Sequence, residues 1–139
     1  IHGVVWNDAN RNDIRDGGLI RGDNPDIVLV IDTSGSTSEP FLGTTVGDTN
    51  SDGISNTILD AQIQAGIALV EQLMAAGYAS TARVSIVSFN STAVNLDMNP
   101  VATGNQIATF GGADRNGNRK LDVIEALRTL RSFGATNYE

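Results

Sequence analysis

The sequence has no cysteine in 139 residues, which excludes disulfides and thiolate metal sites. Histidine occurs once, as His2 at the terminus, so a Ser-His-Asp triad is not expected. Neither a G-x-S-x-G elbow nor a phosphate-binding Gly-Lys loop occurs. No apolar run approaches the roughly 20 residues of a membrane span. Basic residues are scarce. Nine Lys and Arg face sixteen Asp and Glu, for a net charge of −7, which argues against nucleic acid as a partner because that needs a basic face. Aromatics make up 5% of the chain, and the one tryptophan, Trp6, reads as a core residue rather than a ligand stacker.

What the chain does have is short oxygen-bearing side chains. Twelve of the sixteen acids are Asp, and Asn is abundant. Asp and Asn favour turns, and hard cations such as calcium require clustered oxygens. A secreted domain without disulfides needs another staple, and bound calcium is one. The length suits one globular domain. The chain opens on Ile1 with no signal-peptide pattern and is read as a segment of a longer protein.

Residues 1–25 read as a short strand, Val4-Val5-Trp6, followed by a polar linker that ends at Asn24-Pro25. Arg21-Gly22-Asp23 in this linker is a tripeptide that recurs by chance. The main domain is placed at residues 26–139. Ile27 to Ile31 is an unbroken apolar run, as in a strand buried on both faces of a parallel sheet. Leu59, Ile63, Ile67, Val70 and Leu73 make one helical stripe, with Gly77 as its stop. Arg83 to Phe89 predicts a second strand, and Ala93 to Leu96 a short antiparallel return. Residues 98–120 read as a long loop. Val123, Ile124, Leu127 and Leu130 predict a short helix ending at Gly134. The strand–helix–strand order gives an α/β fold with a right-handed crossover.

Asp32-Thr33-Ser34-Gly35-Ser36 follows the first buried strand, where ligands bind in open α/β sheets. Its D-x-S-x-S spacing offers one carboxylate and two hydroxyls, a donor set for a small hard cation such as Mg2+ or Mn2+. The alternative is a Ser/Thr-rich turn capping the next element. Three loops add an alternating Asp/Asn pattern. The first is Asp48, Asn50 and Asp52 with Gly53, and Asn56 and Asp60 beyond. The second is Asp114, Asn116, Asn118, Asp122 and Glu125, where Arg119 stands in place of the turn glycine. The third is Asp8, Asn10, Asn12 and Asp16. Alternate residues direct side chains to one point, as in calcium loops. Each loop alone also reads as an ordinary Asx-rich turn.

The stretch VLVIDTSGSTS closely resembles the first strand and metal loop of von Willebrand factor type A domains. ARVSIVSFNSTA looks like the family's second and third strands, and Phe133 to Asn137 resembles its second metal loop. The likeness covers residues 26–139. It implies a doubly wound, Rossmann-like sheet with a metal-ion-dependent adhesion site formed by Asp32, Ser34, Ser36 and, by resemblance, Thr136. The chain stops before the family's later strands, so the likeness covers the N-terminal half and implies a second chain or a missing half. GVVWNDANRNDIRDGG resembles the start of calcium-binding repeats in large bacterial surface adhesins.

The resulting expectation is a non-enzymatic, calcium- and magnesium-dependent adhesion module, extracellular or on a bacterial surface. Its metal would coordinate an acidic residue of a protein partner. The alternative is a calcium-stiffened structural spacer in a large extracellular protein, with no partner at the metal site. An intracellular type A domain serving an ATPase or chelatase complex is a third class, disfavoured by the calcium-loop series.

Overall fold

The computed structural model describes residues 24–99 and 101–135. The expected strand at Val4, the Arg21 tripeptide, the loop of Asp8, Asn10, Asn12 and Asp16, and Thr136 all lie outside the described residues.

Strand β1 spans Asp26–Asp32, and a short 3-10 turn follows at Gly35–Ser38. Helix α1 covers Ile58–Ala75, β2 Arg83–Phe89, β3 Ala93–Asn95, β4 Thr109–Phe110 and α2 Asp122–Arg128. β1 and β2 pair in parallel, from Asp26 opposite Arg83 to Asp32 opposite Phe89. β3 and β4 both run antiparallel to β2, β3 against its C-terminal half and β4 against its start. The expected long loop thus contains a strand. Among the described residues β1 pairs only with β2.

Helix α1 begins because Thr57 and Asp60 form a capping box, in which each side chain accepts the other's backbone N–H. It stops where Gly77 turns left-handed, at φ +86°. The apolar stripe of α1 meets α2 and one face of the sheet. Leu59, Ile63, Ile67 and Val70 pack with Val123, Ala126 and Leu127 and with Ile31, Val84 and Ile86. α1 and α2 also touch each other, so both helices lie on this face.

The doubly wound, Rossmann-like expectation is corrected here. That architecture covers both faces of a parallel sheet. The observed sheet is small, mixed and four-stranded, and both helices lie on one side. Val28 and Val30, which alternate with the buried Ile31 along β1, are 58% and 59% exposed. The apolar run at 27–31 misled because none of its residues is polar. Periodicity in such a run does not separate one-sided from two-sided burial. No helix among the described residues is long and apolar enough to cross a membrane.

Candidate functional site

β1 delivers Asp32 to the sheet's C-terminal edge, and the chain folds back at once. Asp32 Oδ1 accepts the Ser34 amide at 2.8 Å. The Ser34 and Ser36 hydroxyls lie 3.1 Å apart. Ser34 is buried and Ser36 exposed, with Asp32 between. Gln62 of α1 grips both backbone groups of Asp32: its Oε1 accepts the amide at 3.2 Å and its Nε2 donates to the carbonyl at 3.3 Å. Thr37 donates to the Ser34 carbonyl at 2.7 Å and meets the Ser132 hydroxyl at 2.6 Å. The Gly35 amide donates to the Gly134 carbonyl at 2.8 Å, and the Phe133 amide to the Thr33 carbonyl at 2.9 Å. The structure therefore brings Asp32, Ser34 and Ser36 into one loop and seats the segment 132–134 against it.

The loop Asp48–Ile54 is a second assembly. Asp48 Oδ1 accepts the Asp52 amide at 3.1 Å and Oδ2 the Gly53 amide at 3.0 Å. Asn50 Oδ1 accepts the same Asp52 amide at 3.2 Å, and Asp52 Oδ1 accepts Ile54 N at 2.8 Å. The loop Asp114–Lys120 repeats this ladder. Asp114 accepts the amides of Asn118 and Arg119 at 3.1 and 2.9 Å. Asn116 accepts the Asn118 amide at 3.1 Å, and Asn118 accepts that of Lys120 at 2.8 Å. The backbone repeats as well. The fourth and sixth residues are left-handed in both loops: Ser51 and Gly53 at φ 59° and 91°, Gly117 and Arg119 at 69° and 68°. Arg119 thus adopts the conformation that glycine would supply.

Each loop is locked to a buried aspartate in the first turn of the helix that follows. The Thr49 amide donates to Asp60 Oδ1 at 2.7 Å, and the Arg115 amide to Asp122 Oδ1 at 3.1 Å. Asp60 is fully buried and Asp122 is 2% exposed. Asp60 accepts two further hydroxyl bonds, from Thr49 and Thr57, and the Thr57 amide. Burial pushes its carboxyl pKa up, but these hydrogen bonds outweigh burial and hold it below the ordinary aspartate value. Asp122 has Arg115 as its ion partner at 3.4 Å. Asn50 Nδ2 ties the first loop to the Leu130 carbonyl at 3.0 Å. Glu125 accepts Asn116 Nδ2 and Asn118 Nδ2 at 2.9 and 2.6 Å. Asn56 does not join the first loop. Its side chain bonds the Val46 amide and the Phe41 carbonyl instead.

This geometry overturns the cofactor expectation. Among the described residues, no three His, Cys, Asp or Glu side chains come together in a group that could hold a metal ion. Asp32 is the one acid of its loop, and the Asp and Asn oxygens of the other two loops accept backbone amides. The metal-dependent adhesion function and its Ca2+ and Mg2+ cofactors are corrected accordingly. Thr49, Thr57, Gln62 and Arg115 were not singled out from sequence. Only Thr57 carried a readable signal, the Thr-x-x-Asp spacing ahead of an apolar run.

No family model matches the chain, and no curated protein matches it. Solved structures do. A point mutant of the PilB minor pilin from Streptococcus sanguinis aligns over 82% of this chain and 23% of its own, at 19% identity and a TM-score of 0.50. An uncharacterized membrane spanning protein from Vibrio fischeri aligns over 83% of this chain and 44% of its own, at 25% identity and a TM-score of 0.51. The chain thus spans less than half of either. These likenesses are of fold, to a pilin and a membrane-spanning protein. They replace the von Willebrand factor type A identification drawn from the D-x-S-x-S motif, which no family model supports.

Proposed function

We propose that this chain is a structural module, a stiff spacer within a larger extracellular protein, without catalytic activity. The observation that carries this reading is the repeated loop. Two separate segments adopt one hydrogen-bond ladder, and each is closed on a buried aspartate at the start of a helix. Loops of this length are ordinarily the mobile part of a domain. Here their side chains are spent on their own backbone, which removes the mobility that a lid or an adaptable binding loop uses. No buried side-chain polar atom in the described residues lacks a hydrogen-bond partner. A module of this kind is read as one segment of a long protein, as the coverage of its fold neighbours suggests. Its net charge of −7 favours protein over nucleic-acid contacts.

Amide hydrogen exchange on the purified chain in chelator tests the proposal. The amides of Asp52, Gly53, Asn118 and Arg119 are expected to be protected to a degree comparable with α1. Asp60→Ala should release the first loop, and Asp32→Ala should release neither. Unprotected loop amides in the unsubstituted chain would overturn the reading. So would a chain that is unfolded in chelator and folds only on addition of calcium.

A further inference from the structure

The chain is acidic, yet four of the six Lys and Arg side chains among the described residues gather beside α2. Among the described residues the Lys and Arg side chains are Arg83, Arg115, Arg119, Lys120, Arg128 and Arg131. Four of these line two adjoining grooves. One is bordered by Lys120, Glu125, Arg128, Thr129 and Arg131, the other by Arg119, Lys120, Leu121, Ile124, Glu125 and Arg128. All four cations are exposed. The single ion pair among the described residues is Arg115 with Asp122, so none of the four has a carboxylate partner there.

The one acid that borders the grooves, Glu125, is already engaged, accepting the side-chain amides of Asn116 and Asn118. Arg131 is fixed in place, with Nη1 donating to the carbonyls of Arg128 and Leu130 at 2.9 and 2.8 Å. The Asp114 ladder holds the backbone of Arg119 and Lys120. The cations therefore stand on a stiffened frame, which lowers the ordering cost of engaging them. Leu121 and Ile124 are half-buried and give the second groove an apolar floor.

We propose that the α2 grooves dock an acidic segment of a partner protein, with carboxylates meeting Lys120 and Arg128 and one apolar side chain resting on Leu121 and Ile124. The inference rests on the spacer reading only in requiring the loop to be stiff. Charge selects the class of partner. A long polyanion or an anionic membrane would face the repulsion of the whole acidic chain, whereas a short acidic segment meets the local field within a Debye length of about 10 Å. The apolar floor favours a peptide over a bare phosphate chain.

A fluorescein-labelled peptide of Asp and Glu with one central Leu, and a matched Asn/Gln peptide, would be titrated with the purified chain at low salt. Anisotropy should rise with the acidic peptide and not with its amide counterpart. The double variant Lys120→Ser/Arg128→Ser should bind about tenfold more weakly, as the loss of two exposed ion pairs implies. Both positions are exposed, and an unchanged melting midpoint would confirm that the variant is folded. Equal binding by the double variant overturns the proposal. So does tighter, Lys120-dependent binding of inorganic polyphosphate. Self-association in sedimentation that disappears in the double variant would also overturn it, because the occupant would then be a second copy. Loop protection measured by hydrogen exchange is independent of these outcomes, so failure here leaves the spacer reading standing.

Discussion

Removing the Asp60 carboxylate should be among the most destabilising single changes available to this chain. The group is fully buried and takes four hydrogen bonds. Two come from hydroxyls, which can rotate: that of Thr49 has the Asp60 carbonyl within reach at 3.2 Å, while that of Thr57 already accepts the Asp60 amide at 3.1 Å. The other two come from the amides of Thr49 and Thr57, which have no such freedom. In Asp60→Ala each orphaned amide costs about 1–3 kcal/mol, offset in part by no longer burying a charge, so a net loss of roughly 3–5 kcal/mol is expected. That is a large part of the 5–15 kcal/mol that holds a typical domain together. Asp60→Asn keeps one acceptor oxygen but replaces the other with an NH2 donor that faces donors, and about 2–3 kcal/mol should be lost.

The pH dependence gives a second reading of the same site. The folded carboxyl titrates below its unfolded value of about 3.9. Its contribution is therefore complete above that pH and is lost as pH falls through the lower folded value. Urea unfolding at pH 7 and near pH 3 would measure it, with midpoints compared at constant slope. The gap between the unsubstituted chain and Asp60→Asn should be full at pH 7 and should narrow on acidification. A cost below about 1 kcal/mol for Asp60→Ala, or a gap unchanged by acid, would refute the claim that this carboxylate is the ionised lock of the first loop.

Three further outcomes follow from other parts of the fold. A Cβ added to Gly35 would sit 2.9 Å from the Gly134 carbonyl oxygen, so Gly35→Ala should separate the β1 loop from segment 132–134 and cost about 1–3 kcal/mol in urea unfolding. Arg119 holds φ at +68° without being glycine, so Arg119→Gly should leave stability unchanged or raise it by up to about 1 kcal/mol, and a clear loss would mean that its side chain matters to the fold. Val30 lies on the sheet face that the helices leave uncovered and Ile86 lies beneath them. Val30→Thr should therefore cost less than about 0.5 kcal/mol and Ile86→Ala about 2–5 kcal/mol, and comparable losses at the two sites would contradict the one-sided core.

The elements that could be read directly were those with a local cause. The stripe from Leu59 to Val70 and the stop at Gly77 define α1 without reference to the rest of the chain. β2 and its return were readable for the same reason, because Asn90-Ser91 interrupts two β-rich runs. The sheet's coverage was not readable. Whether Val28 and Val30 meet a helix depends on elements far away in sequence, and their residue type is the same in either case. β4 escaped notice because Thr109 and Phe110 are too short a run to carry a period, and their pairing with β2 is set by tertiary contact.

The Asx loops show a different limit. The alternation of Asp48, Asn50 and Asp52, repeated in Asp114, Asn116 and Asn118, marks side chains that fold back on their own loop, the first two of each set sharing one amide and the third accepting a later one. The pattern alone does not reveal that backbone amides are the partners. A left-handed turn at the fourth and sixth positions also points successive amides inward, and an Asp or Asn oxygen two or four residues earlier is within reach of them. Counting oxygens along the sequence counts acceptors, not vacant acceptors. The D-x-S-x-S stretch fails for a related reason, since the Asp32 carboxylate is close enough to satisfy the Ser34 amide of its own turn. The residues that lock both loops, Asp60 and Asp122, stand out in the sequence as the acids that follow each loop, but as expected metal ligands rather than as acceptors of the Thr49 and Arg115 amides. Their role becomes visible only when the loop and the first turn of the next helix are placed together.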